Sequence, residues 1–272
     1  MATGYAKSLA RKHPLQRLES PSSGASALLH GRSSSDWALS RTHSLISSST
    51  RTQCIHTLLS TTPLALLTQL PSNESYGWHL QYLTIIGLSL AATTFAIGLL
   101  ADLTSNRRLF ALKNALSVAS APMECLISML YWGLRLIDAK LVLPDWAAPL
   151  PLHTDLSFHA VPSVALVLDL LFFSPPYTVA FLPALGLSGC IAFGYWFWIE
   201  RCYQTNKFYP YPLFEVLDTP QRVGVFAFSA LLMALSTATL VWMYHVVNGK
   251  EELAQANGHG GPKRKSKNAK RQ

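Results

Sequence analysis

The amino-acid sequence predicts an all-α fold, a polytopic membrane helix bundle with six spans and both termini in the cytosol. Three observations lead there. Half of the 272 residues are apolar and only 13% are charged, where a soluble domain carries about 25%. The charges are also clustered, so that residues 80–101 and 223–244 contain no Asp, Glu, Lys or Arg at all. A charge-free apolar helix of about 20 residues crosses a hydrocarbon core of about 30 Å, longer than a buried soluble helix needs to be. The third observation is the placement of the basic residues, which sets the orientation.

In chain order, residues 1–52 are rich in Ser and Arg and lack apolar periodicity, which predicts a disordered basic arm. The scarcity of acids also suits a transit peptide, a reading opposed by the multi-span body behind it. Residues 53–70 are the weakest span, broken by Pro63 and several Ser and Thr. Stronger spans follow at about 80–101, 115–134, 158–173, 178–199 and 223–247, and the membrane domain therefore covers 53–247. Residues 248–272 form a disordered polybasic cytosolic tail, suited to holding the C-terminus inside and to meeting anionic headgroups. With six spans, 17 of the 22 Lys and Arg residues fall on the cytosolic side. With five, the arm crosses over and the bias disappears, so the count favours six. A net charge of +8 then reflects topology, and no nucleic-acid partner is expected.

The four cysteines contain no C-x-x-C pair and read as small hydrophobes, with neither a disulfide framework nor a metal site expected. No P-loop or dinucleotide motif is present, and no cofactor is expected. The sequon Asn73-Glu74-Ser75 lies close to the membrane on the non-cytosolic side. Tyr76, Trp78, Tyr131, Trp132, Trp146, Tyr209, Tyr211, Trp242 and Tyr244 cluster at span boundaries and read as an aromatic belt.

Ionisable groups inside spans are costly and mark function by default. His159 stands at the outer end of the fifth span, with Pro162 placed for a first helical turn. Thr84 lies at the outer end of the second span, about 6 Å below its start at 1.5 Å per residue. The two share one membrane face and a similar depth. A threonine hydroxyl needs a base within hydrogen-bond reach to act as a nucleophile, and a neutral imidazole is such a base. Asp169, ten residues beyond His159, lies about 15 Å deeper and cannot orient that ring on a straight helix. Asp169 and Glu124 are expected to pair with other spans or to line a substrate cavity.

At these residues the sequence resembles the androgen-induced-gene / androgen-dependent TFPI-regulating protein family. The similar stretches are Tyr82-Leu83-Thr84 with the apolar run ending at Asp102-Leu103, Trp132-x5-Asp138-x5-Pro144, His159 with Asp169 ten residues on, and Phe208–Glu215 (FYPYPLFE). Their order and spacing agree over about residues 76–245. The resemblance implies a six-helix membrane hydrolase that cleaves fatty-acid esters of hydroxy fatty acids without a metal. It places the family's nucleophile on Thr84 and its histidine on His159. The chain departs from the family pattern at Leu156 and Ala160, where vertebrate members carry His and Thr, and His153 is the nearest substitute histidine. The expected partners are the lipid bilayer and a fatty-acyl ester substrate, and the expected location is an endomembrane, the endoplasmic reticulum first, or the plasma membrane. The competing reading is a non-catalytic multi-span protein, either a lipid-binding scaffold or a small transporter working through Glu124 and Asp169.

Overall fold

The computed structural model describes residues 49, 51–52, 74–104, 106–143, 150–174 and 177–248. The expected first span at 53–70, Asn73 of the sequon, Trp146, and all but the edges of the basic arm and the polybasic tail lie outside the described residues.

A single 3₁₀ turn, Trp78–Gln81, precedes the first long helix. Tyr82 is extended (φ −86°, ψ 123°), and α1 begins directly after it, running Leu83–Thr104. At about 1.5 Å per residue its 22 residues reach about 33 Å, enough for a hydrocarbon core. The chain reverses at Asn106, whose side chain accepts the Arg108 N–H and so caps α2, Arg107–Ile137. Then come α3 (Leu152–His159), α4 (Val161–Phe173), α5 (Phe181–Asn206), the short α6 (Leu213–Val216) and α7 (Thr219–Asn248). Among the described residues there is no strand.

Four helices, α1, α2, α5 and α7, are each long and apolar enough to cross a membrane. The pair α3 and α4, bent by 42° at their junction, forms a fifth candidate span. The bend has a local cause. Pro162 has no N–H for the carbonyl of Phe158 one turn back, so the helix breaks at Ala160 (φ −133°, ψ −47°) and restarts. Large apolar side chains such as Leu100, Leu182, Phe197 and Leu235 are exposed. On a soluble protein they would be an uncovered apolar surface; here they face acyl chains. The protein is an integral membrane helix bundle.

The central element is α2, which packs on α1, α3, α4 and α7, while α5 packs on α7. At the Asp102 end, Ala91 and Phe95 of α1, Ala121 of α2, Leu166 and Leu170 of α4 and Tyr244 of α7 share one core. At the Thr84 end, Tyr195, Ile199, Tyr209, Phe214 and Phe226 form another. The aromatic-belt reading therefore holds for the exposed Tyr76, Trp78 and Trp242 but not throughout, because Tyr131, Tyr209 and Tyr244 are buried in the bundle.

Of the two roles expected for Asp169, pairing with other segments is the one observed. Asp169 is the hub of a buried ion cluster that joins α1, α2 and α4 to the segment before the first expected span. Its carboxylate takes Arg51 Nε at 3.0 Å on one oxygen and the Lys113 ammonium on the other. Arg51 also donates to Asp102 and, at 3.0 Å, to the Gly98 carbonyl. Lys113 donates to Ser174 Oγ at 2.6 Å. A Cβ on Gly98 would lie 3.1 Å from Arg51 Nε, so the glycine makes this close approach possible. Arg51 and Lys113, expected from the sequence to be charges of the arm and of the 102–114 loop, are buried.

Candidate active site

An apolar cavity of about 280 Å³ opens among α1, α2, α5, α6 and α7. On α2 its lining runs from Met123 to Leu134, about 16 Å at 1.5 Å per residue. Its floor, the deepest lining residue on each long helix, is Met123 of α2, Ser188 of α5 and Met233 of α7; at the other end lie Leu83 and Thr84 of α1 with Leu213 and Leu217. The hydroxyl-bearing residues that line that end are Thr84 and the tyrosines 131, 195 and 211.

The start of α1 is held firmly. Tyr195 of α5 donates to the Gln81 carbonyl at 2.7 Å, Trp198 donates to the Leu80 carbonyl at 2.9 Å, and Asn206 donates to the buried Gln81 amide oxygen at 3.0 Å. The Tyr211 phenol interacts with both the hydroxyl and the backbone of Thr84. Burial raises its pKa, the Thr84 contacts act in the opposite sense, and the phenol stays neutral and able to donate. Nearby, Tyr209 donates to Glu200 at 3.0 Å and accepts from Arg222, a clamp between α5 and α7. Burial and the Glu200 carboxylate push its pKa up to about 12.

The register of α1 on α2 fixes the depth of Thr84. Thr94 Oγ1 meets Ser120 Oγ at 3.3 Å, and a Cβ on Gly87 would lie 2.5 Å from Ile127 Cδ1. Continuing this antiparallel register by three residues from Gly87 sets Thr84 opposite Leu130. His159 meets the same stretch of α2. Its ring stacks on Tyr131 (centroids 3.4 Å apart, planes at 2°), and its carbonyl, freed by the helix break, accepts from Ser128 Oγ and from Trp132 Nε1 at 3.3 Å. Thr84 and His159 are therefore level on the central helix. Tyr131 is the residue they share, lining the cavity with Thr84 and stacking on His159. Among the described residues no hydrogen bond joins Thr84 to His159 directly.

A polar contact set not anticipated from the sequence surrounds the imidazole. His159 Nδ1 lies 2.9 Å from Asp155 Oδ1, and Asp155, fully buried, pairs through its other oxygen with Arg135 of α2. Arg135 also donates to the Tyr131 hydroxyl at 3.0 Å. The Asp155–His159 spacing of four residues, one helical turn, was the available signal. His153, the substitute histidine, is exposed. Glu124 does not line the cavity either: it is buried against Gly87, where a Cβ would lie 2.6 Å from its Oε1, and that oxygen has no hydrogen-bond partner. Of the residues named for the transporter alternative, Glu124 and Asp169, neither lines this cavity. No group of three or more His, Cys, Asp or Glu side chains suited to a metal occurs among the described residues. Of the cysteines, Cys202 is buried, Cys125 half-buried and Cys190 exposed.

The family model described as FAR-17a/AIG1-like protein matches residues 51–245. A UPF0641 membrane protein of Schizosaccharomyces pombe is 38% identical over 173 residues, 63% of this chain and 77% of that protein. No solved structure matches.

Proposed function

The chain belongs to the FAR-17a/AIG1-like family, and from that premise we propose that it is a membrane hydrolase of fatty-acid esters of hydroxy fatty acids, with Thr84 as nucleophile and His159 as base. The observation that supports the proposal is the common level of Thr84, which lines one end of an apolar cavity, and His159, which stacks on the cavity-lining Tyr131. At about 1.3 Å per methylene, from C–C bonds of about 1.5 Å at tetrahedral angles, its length takes about a dozen carbons of one acyl chain. The ester then stands among the hydroxyl groups at the Thr84 end.

In the proposed reaction the Thr84 oxygen attacks the ester carbonyl as its proton passes to His159. The Tyr211 phenol, beside Thr84, donates to the oxyanion. The intermediate collapses, the carbon–oxygen bond to the hydroxy fatty acid breaks, and His159 returns the proton to the departing alkoxide. Water, deprotonated by His159, then attacks the acyl-threonine, releases the fatty acid and restores the threonine hydroxyl. The ester enters laterally from the bilayer, at the non-cytosolic face of an endomembrane such as the endoplasmic reticulum. The test is hydrolysis of such an ester by purified protein in detergent. Turnover is expected in the wild type and its loss in Thr84→Ala and His159→Ala; undiminished turnover in both variants rejects the assignment.

A further inference from the structure

Asp155 takes no part in the proposed bond-making and bond-breaking steps, yet it is the most constrained acidic group near the site. It is fully buried, its Oδ1 lies 2.9 Å from His159 Nδ1, and its Oδ2 is held by the Arg135 guanidinium. Arg135 is itself held by two neighbours, donating at 3.0 Å to the Tyr131 hydroxyl and lying 5.9 Å from the Tyr131 ring and 5.6 Å from the Trp132 ring. The remaining freedom of His159 is removed by the stack on Tyr131 and by the bonds from Ser128 and Trp132 to its carbonyl.

We propose that Asp155, locked by Arg135, is a positioning residue that sets the tautomer of His159 and so makes Nε2 the working nitrogen. The inference rests on the hydrolase reading above for its catalytic meaning, but the tautomer itself does not depend on it. Donors and acceptors decide the matter. An ionised carboxylate only accepts, and a neutral imidazole carries one N–H. Nδ1 facing Asp155 therefore holds the proton, and Nε2 is left with its lone pair as the base. Arg135 makes the arrangement directional. A guanidinium only donates, so the Oδ2 position must be an oxygen. An asparagine at 155 would keep its oxygen on Arg135 and turn its NH₂ toward Nδ1. That NH₂, at the 2.9 Å position and so closer to Nδ1 than the Asp155 carbonyl at 3.2 Å, would make the ring nitrogen the acceptor, and the proton would move to Nε2, where it disables the base. In a Ser-His-Asp triad the same Asp→Asn change lowers turnover about 10⁴-fold by this route.

The deciding experiment is ¹⁵N NMR of histidine-labelled protein in lipid nanodiscs, with His159 assigned by its absence from His159→Gln. The expected wild-type spectrum shows a protonated Nδ1 and an unprotonated Nε2, and Asp155→Asn exchanges the two. A wild-type ring protonated at Nε2 overturns the proposal, with no variant needed. An unchanged tautomer in a folded Asp155→Asn protein also overturns it. In the hydrolysis assay, Asp155→Asn is expected to lose about 10² to 10⁴-fold in kcat with little change in KM, and a loss below about twofold rejects the positioning role. If the wild type shows the expected tautomer but hydrolyses no ester, the hydrolase reading has failed and the Asp155 assignment stands.

Discussion

Replacing Asp169 with Asn tests the ion cluster that closes the Asp102 end of the bundle. The carboxylate is 4% exposed and serves two cations at once, Arg51 at 1% and Lys113 at 0% exposure. Arg51 keeps Asp102 and the Gly98 carbonyl after the change. Lys113 keeps the hydroxyl of Ser174, and a fully buried ammonium that has lost its paired carboxylate is the costly product. Breaking a buried pair by removing one partner costs about 3–5 kcal/mol. At about 2–4 °C per kcal/mol for a chain of this size, the midpoint should fall by roughly 6–20 °C. The assay is thermal melting in detergent followed by the loss of helical circular dichroism. The double variant Asp169→Asn, Lys113→Met removes the stranded charge and should regain more than half of the loss. An Asp169→Asn protein that melts within about 2 °C of the wild type would show that the cluster does not hold the helices together.

Two further outcomes follow from the α1–α2 contact and from the cavity floor. Gly87→Ala adds a Cβ 2.5 Å from Ile127 Cδ1 and 2.6 Å from Glu124 Oε1, and such overpacking costs about 1–3 kcal/mol. Because Gly87 lies one turn from Thr84, turnover should fall along with the melting point; a variant unchanged in both would mean that the helices separate there without consequence. Ser188→Phe fills the floor of the cavity and should shorten the longest acyl chain hydrolysed by several carbons. Assays over a series of chain lengths give the comparison, and an unchanged length profile would place the acyl chain elsewhere.

Much of the fold was legible because apolar runs without charge have few other uses. The spans expected at 80–101, 178–199 and 223–247 appear as α1, α5 and α7. Only their ends differ, because polar residues such as Gln204 to Asn206 continue α5 past its apolar stretch. The helix expected at 115–134 starts eight residues earlier, at Arg107 behind the Asn106 cap, and Lys113, assigned to a loop, lies within it. The partners of Asp169 were not legible. Arg51 is 118 residues away in the chain, and nothing local in either segment announces the other. At the site, the six-span topology together with helix rise placed Thr84 and His159 at a common depth, and in the structure His159 stands against the stretch of α2 that the α1 register sets opposite Thr84. Tyr131 and Tyr211 read as a membrane-interface belt because a boundary tyrosine and a cavity tyrosine look alike in one dimension. Asp155 was within reach, one turn before His159 in LHTDLSFH, but Asp169, ten positions beyond and inside the apolar run, stands out more in the sequence.

Covalent labelling distinguishes Thr84 from any other nucleophile in the chain. Native protein in membranes is treated with an activated-ester or fluorophosphonate probe and digested, and the modified peptide is sequenced by mass spectrometry. The expected result is a probe on the Thr84 hydroxyl, with labelling that disappears in Thr84→Ala and slows sharply in His159→Ala. A label on another residue that persists in Thr84→Ala would contradict the assignment of Thr84 as nucleophile.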